Sequence, residues 1–321
     1  MPASHRLIAM AVAVLWGVNF LAIHASLEQF PPMFLVTLRF ALIAVPTLVL
    51  VPRPAVETRW LVAYGLGFGV LQFLFLYWGM AAGMPTGLAS LVLQSSAPFT
   101  VLLGVVLFRD VLSARRLLGL ALSCLGLAVV GWQQSQSAAL LPFLLVLAGG
   151  FGWAIGNVAN ARAQAPNPLH LTLWMSVVPP LPMLALSLVV EGPSRIWSSL
   201  DPTAPAMLPA LLGLAYTVLL GTVVGSGLWS WLMARHPSGV VAPFSMVVPV
   251  VGMSVAWVAL GEAVSAGEAT GAGMVVAGVL LGSRRPTPRD RARVDLGPPQ
   301  LEDGSDLRQR ENQERTFAGP A

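Results

Sequence analysis

The stretch MPTGLASLVLQSSAPFTVLLGVVLFRDVLSARRLLGLALSCLGLAVVG, residues 84–131, returns later in the chain as HPSGVVAPFSMVVPVVGMSVAWVALGEAVSAGEATGAGMVVAGVLLG, residues 236–282. Pro85 aligns with Pro237, Gly87 with Gly239, Asp110 with Glu262, Gly119 with Gly271 and Gly126 with Gly278, each pair 152 positions apart. Earlier in each half, LWGVNF at residues 15–20 resembles GWAIGNV at residues 152–158, which sets Trp16 against Trp153 and Asn19 against Asn157. The chain reads as two copies of one unit.

Composition says where those units fold. Of 321 residues, 56% are hydrophobic and 10% charged, against about 25% charged in ordinary soluble domains, and the mean hydropathy is +0.75. This is the composition of an all-α membrane protein that crosses the bilayer many times. Every one of the 18 basic residues is arginine. The pI of 10.2 therefore reflects arginine set against few acids and not a basic patch for nucleic acid, so no nucleic-acid partner is expected. The single cysteine, Cys124, excludes an internal disulfide and reads as a small buried hydrophobe; no metal or other cofactor is expected.

Apolar runs of bilayer-spanning length between Pro, Gly and charged breaks predict ten helices, at about 7–26, 33–51, 60–82, 86–108, 114–132, 139–161, 169–190, 207–233, 238–260 and 266–283. The first has the basic start and apolar core of a signal peptide, but it has no small-residue cleavage site before a polar mature chain, and it is read as a retained span. Residues 1–133 and 134–283 form the two five-helix repeats. Residues 284–321, charged and Pro-rich, are expected to be a disordered cytoplasmic tail. With the N-terminus inside, cytoplasmic segments carry Arg6, Arg53, Arg59, Arg109, Arg115, Arg116, Arg162, Arg235, Arg284 and Arg285, whereas the outer loops carry Arg195. Both termini are then cytoplasmic, in the inner (plasma) membrane. A five-helix unit ends on the side opposite its start, so the second copy is inserted upside down. Inverted repeats suit a machine that shows one central site to each side in turn.

Polar groups inside the spans are the candidate site. Arg39 lies about seven residues into helix 2, or ~10 Å deep at ~1.5 Å per residue. It either snorkels to the outer interface or faces a watery cavity, where its planar fork of donors suits a carboxylate. No Asp or Glu lies within the interior of any predicted span to pair with it. Asn19 and Asn157, at related positions of the two halves, either face that cavity or bond neighbouring helices. Gln94, four residues before Pro98, either lines the cavity or bonds backbone freed by that proline, while Gln72 reads as structural. Trp16 and Trp153 lie too deep for interfacial anchors and are cavity walls or packing residues. Pro98, Pro243 and Pro249 interrupt helices 4 and 9 as hinges. Gly65/Gly69, Gly83/Gly87, Gly152/Gly156, Gly221/Gly225 and Gly267/Gly271 read as close-packing pairs. His24, near the outer end of helix 1, is either an interfacial residue or a proton-coupling group. No nucleophile or metal motif of an enzyme occurs, and the GFGWAIG run lies inside a span with no strand before it, so it is not a nucleotide loop.

Taken in order, WGVNF, TLRFAL, MPTGLASLVLQ, WAIGN, VAPFSMVVPVVG and LGEAVS resemble the EamA-type exporters of the drug/metabolite transporter superfamily over residues 8–283. Within that family the arrangement is similar to the bacterial exporters of O-acetylserine and cysteine. The resemblance implies export of small metabolites, amino acids or their derivatives, by alternating access. The same scaffold in other members handles other solutes or drugs. Related exporters often have lysine where this chain has His24. The lack of intramembrane carboxylates weighs against cationic drugs, so the partner expected is a small molecule carrying a carboxylate.

Overall fold

The computed structural model describes residues 1–109, 112–137, 140–236 and 238–283. The sequence-predicted tail and Asp110 lie outside the described residues. Helices dominate and no strand occurs among the described residues. Among the described residues nine helices are long and apolar enough to cross a membrane: α1 (Ala3–Leu27), α2 (Pro32–Leu50), α3 (Thr58–Ala81), α4 (Thr86–Phe108), α5 (Ala114–Gln136), α6 (Leu140–Ala163), α7 (Pro168–Val190), α8 (Met207–Arg235) and α9 (Ala242–Leu260). The tenth expected span is the helix α10 (Ala266–Ser283), whose apolar part, Ala266–Gly282, is shorter than the rest.

Helix starts follow local chemistry. Pro32 and Pro168 sit in the first turns of α2 and α7, where a missing N–H costs nothing. Asn167 caps α7, its Oδ1 accepting from the backbone N–H groups of Leu169 at 3.1 Å and His170 at 3.3 Å. Ser265 and Glu268 form a reciprocal capping box at α10, with Ser265 N–H donating to the Glu268 carboxylate at 2.8 Å and Glu268 N–H donating to Ser265 Oγ at 3.2 Å. Two other helices are capped by acids from distant sequence. Glu191, after α7, accepts from Met33 and Phe34 N–H at 2.7 and 3.0 Å at the start of α2. Glu262, after α9, accepts from Thr86 and Gly87 N–H at 2.8 and 2.9 Å at the start of α4.

Several spans are less regular than the hydropathy pattern predicts. α3 turns π-helical over Gly65–Gln72 and α8 over Tyr216–Val224. α4 tightens to a 3₁₀ turn at Leu93–Ser95, and α9 opens with one at Ala242–Met246, next to the prolines expected to interrupt them. The expected continuous helix 169–190 is broken: α-helix stops at Met175 and resumes at Pro180, because Pro179, Pro180 and Pro182 withhold backbone donors there. A short helix, Pro193–Ser198, fills part of the following loop. α5 runs past its expected end at 132.

The first helix of each half packs against the other half: α1 lies against α8 and α9, and α6 against α3 and α4. The second helices, α2 and α7, pack together, and so do α5 and α10. Glycine makes the last pairing possible. A Cβ on Gly119 would come within 2.5 Å of the Gly278 carbonyl oxygen, and one on Gly278 within 2.6 Å of the Gly119 carbonyl oxygen; Gly126 and Gly271 obstruct one another in the same reciprocal way. The two helices therefore cross antiparallel with backbones almost touching. Cys124 is exposed and not the buried hydrophobe expected from its apolar surroundings. Gly119, Ser123 and Gly126 occupy the packed face of α5, which turns Cys124 away from α10. Gly83 is not a packing residue either; its φ of 103° makes it the turn between α3 and α4, with nothing for a Cβ to meet.

Candidate functional site: a cavity between the halves

A cavity of about 780 Å³ runs between α1, α2, α3, α4, α6, α8 and α9, with α7 and α10 at its edges. The six residues singled out from the sequence, Trp16, Asn19, Arg39, Gln94, Trp153 and Asn157, all line it, as does Pro243. Pro98, Pro249 and His24 do not. Its lining reaches the exposed Gln164 in the turn after α6, together with Pro168 and Met233, so the cavity opens at the end of the bundle that carries Arg162 and Arg235. At the other end it stops at Ile23 and Leu76, each 1% exposed. Beyond them Met80, Met84 and Leu88 are buried.

Arg39 is 5% exposed and does not reach toward the end of its helix. It donates through Nη1 to Tyr77 Oη at 2.8 Å and through Nη2 to Thr222 Oγ1 at 2.9 Å. Its guanidinium carbon lies 4.1 Å from the centre of the Phe73 ring, a cation–π contact of ~0.5–2 kcal/mol depending on desolvation. Nε is buried with no hydrogen-bond partner. Among the described residues no carboxylate lies within ion-pair distance of it. The charge is held by neutral oxygens and an aromatic face, which leaves its electrostatic demand open to whatever enters the cavity.

The π turns explain how these partners converge. In α8, Thr222 Oγ1 donates to Thr217 O at 2.9 Å, five residues back, and so presents a lone pair to Arg39. The neighbouring Gly221 turns its bare Cα to Asn19 and its carbonyl to Trp16, whose Nε1 donates to it at 2.8 Å. Any Cβ at Gly221 would meet Asn19 Oδ1 at 2.6 Å. In α3, Phe68 and Gln72 fall on the cavity wall, Phe68 packing edge-on to Trp153 with centroids 6.1 Å apart. π turns frequently mark functional positions in helices. Neither turn is legible in a uniformly apolar sequence, which is why Tyr77, Phe73 and Thr222 escaped notice. Gln72, read as structural, is 3% exposed and lines the cavity with Oε1 unpaired.

The amides do both things that were left open. Asn157 Nδ2 donates across to Thr100 Oγ1 at 3.1 Å, bonding α6 to α4 at the cavity wall. Gln94 Nε2 donates to the Ser245 carbonyl at 3.3 Å. Trp16 packs on Trp229 with centroids 5.1 Å apart while lining the cavity. His24 stands apart at the closed end, Nδ1 3.3 Å from Thr86 Oγ1 and Nε2 3.6 Å from Glu28. Among the described residues no cluster of His, Cys, Asp and Glu is placed to hold a metal.

This arrangement of broken apolar helices around a polar-dotted cavity agrees with what the chain is similar to. A solved crystal structure at 20% identity superposes with a TM-score of 0.56, covering 89% of this chain and all of that one, and shares the fold. A "Probable amino-acid metabolite efflux pump" of Salmonella typhimurium is 38% identical over 280 residues, 85% of this chain and 93% of the relative. A protein of the same name in Escherichia coli K12 is 36% identical over the same shares, and a "Probable terminal-alkyne amino-acid exporter" of Streptantibioticus cattleyicolor is 27% identical over 70% of this chain and 72% of its own length. The profile of the EamA-like transporter family matches residues 5–132 and again 140–284. The protein is thus a multi-pass membrane transporter and not an enzyme, and it belongs to the EamA-like transporter family.

Proposed function

We propose that the protein exports small amino-acid-like metabolites, of the O-acetylserine and cysteine class, across the inner membrane by alternating access between two inverted repeats, residues 1–133 and 134–283. The single observation that carries the substrate reading is Arg39, buried on the cavity with no carboxylate partner among the described residues. A substrate carboxylate meeting it would gain charge-assisted hydrogen bonds in a site shielded from water. The names of the relatives at 36% and 38% identity, amino-acid metabolite efflux pumps, agree with that chemistry.

The inverted arrangement draws support from the packing. Each first helix crosses to the opposite half, and α5 meets α10 at Gly119–Gly278 and Gly126–Gly271, two contacts that the 152-residue register interchanges. The π turns of α3 and α8 also fall at related positions of the two halves. With ten crossings and the arginine-rich ends inside, both termini are cytoplasmic and the cavity opens inward, the state that loads an exporter. Trp16, Asn19, Gln94, Trp153 and Asn157 form the substrate walls, and Pro98, Pro243 and Pro249 permit the bending. His24 is the candidate for proton coupling: His24→Gln then abolishes the pH dependence of transport and leaves exchange intact.

Counterflow in proteoliposomes tests the reading with O-acetylserine, cysteine, an aromatic amino acid and a cationic dye. Preference for the amino acids is expected, together with a loss in Arg39→Gln that is larger for the carboxylate substrate than for its neutral amide. Equal losses for both overturn the role of Arg39. Because aromatic walls make the cavity large for cysteine, preference for the aromatic amino acid shifts the substrate to bulkier members of the class, and preference for the dye overturns it.

A further inference from the structure

We propose that Glu262 is the latch that holds the cavity shut at the end away from its opening, and that export to that side requires its release. Both carboxylate oxygens are engaged, Oε1 by Thr86 N–H at 2.8 Å and Oε2 by Gly87 N–H at 2.9 Å. These are donors of the first turn of α4, which no side chain of its own segment caps. A carboxylate there accepts charge-assisted bonds and faces the positive end of the helix dipole. The acid comes from the loop after α9, in the other half of the chain, so this one group pins α4 to α9.

The place of the latch is what makes it a gate. Gly87 lies so close to α9 that a Cβ would stand 3.0 Å from Met253 Cα, and Met84 and Leu88 around it are buried. The floor of the cavity lies just below, at Ile23 and Leu76. Farther along the same two helices, Gln94 bonds Ser245 at the level of the 3₁₀ turns. Gln94 stands in the middle of α4 and Ser245 at the start of α9, so α4 can pivot about its own 3₁₀ turn, and parting its first turn from the end of α9 breaks both bonds to Glu262. Water then solvates the carboxylate and the freed N–H groups, so release is reversible. The second distant cap, Glu191 on α2, is of another kind: α2 and α7 are joined at their other end as well, where Trp174 Nε1 donates to Val51 O at 3.0 Å. There α2 is tied at both of its ends, whereas α4 is tied to α9 at its first turn and at its middle.

The inference rests on the alternating-access reading, and its test separates the two. In a Cys124→Ser background, Ile23→Cys places a thiol on the closed floor, and an impermeant maleimide is applied from the side on which Glu262 lies, with and without saturating O-acetylserine or cysteine. Glu262→Gln is expected to raise the labelling rate about tenfold or more, the worth of a hydrogen bond to a charged group. An unchanged rate in a protein whose labelling still responds to substrate overturns the latch and spares alternation. Labelling of the parent that ignores every substrate on both faces overturns both. As a second arm that does not depend on Glu262→Gln folding well, a short bis-maleimide joining cysteines at Thr86→Cys and Glu262→Cys is expected to stop transport that the unlinked pair sustains. Transport at the unlinked rate after cross-linking overturns the proposal.

Discussion

Gln94 and Ser245 join the two irregular helices at their breaks: Gln94 Nε2 donates to the Ser245 carbonyl at 3.3 Å. Ser245 lies four residues before Pro249 and Gln94 four before Pro98. Each is therefore the residue whose carbonyl a helical proline leaves without its usual donor. The amide of one broken helix satisfies the carbonyl freed in the other. Replacing Gln94 by Leu removes that donor and leaves the Ser245 carbonyl with the Val247 N–H alone, a loss of ~0.5–1.5 kcal/mol. A fall in thermal stability in detergent, with transport reduced more than expression, is the expected outcome. Gln94→Glu, which offers no donor when ionised, is expected to behave no better.

Among the described residues Tyr77 and Thr222 supply the oxygens hydrogen-bonded to the Arg39 guanidinium, and both belong to irregular or neighbouring turns of α3 and α8. Tyr77→Phe preserves the ring but removes one acceptor. A bond to a charged group is worth ~1.5–3 kcal/mol, so the apparent KM for a carboxylate substrate is expected to rise about tenfold or more while the protein stays folded. Measured uptake into inverted vesicles over a range of substrate concentrations checks this.

The crossing of α5 and α10 tolerates no side chain at its centre. Gly126→Val places a branched group where even a Cβ would stand 2.6 Å from the Gly271 carbonyl oxygen, and the backbones must separate at a cost of at least ~1–3 kcal/mol. Gly273→Ala, with nothing within 4 Å of its ideal Cβ, is expected to change stability by less than ~1 kcal/mol. Melting temperatures of the two variants, side by side, test the contrast.

His5 Nδ1 and His236 Nε2 stand 2.6 Å apart, so one nitrogen must donate and the other accept. Desolvation first, then the nearby His5, the N-terminal amine and Arg235, hold the His236 imidazole below its ordinary range. A base with a lowered folded-state pKa stabilises the fold above its unfolded value, about 6.5, and loses that contribution as pH falls below it. Acidification from about pH 7.5 to about 5.5 should therefore weaken the tie between α1 and the end of α8. Thermal unfolding at both pH values checks this; His236→Gln is expected to flatten the difference.

Much of the architecture was legible in residues alone. Runs of about twenty apolar residues can only be helices across a bilayer, and nine of the ten expected spans have that length here. The cavity residues were legible because a polar side chain inside such a run is costly unless it meets another polar group or water; Arg39, Asn19, Gln94 and Asn157 stood out for that reason, and all four line one cavity. The π turns in α3 and α8, the break between Met175 and Pro180 and the exposure of Cys124 were less accessible. A run that is apolar all round carries no periodic signal to say which face is packed or where the hydrogen-bond step changes.

The sequence by itself determined that this chain lies in a membrane, that one pattern occurs twice along it, and that an arginine stands within a span where no acid can pair with it, because composition, repetition and the cost of a charge in lipid act residue by residue. Tertiary structure alone decided that Arg39 leans on Tyr77, Thr222 and Phe73, that Gln94 answers the carbonyl freed by the proline of the other half, and that Glu262 caps the first turn of α4. Those contacts join positions 34 to 183 residues apart in the chain, and only the packed helices bring them within reach.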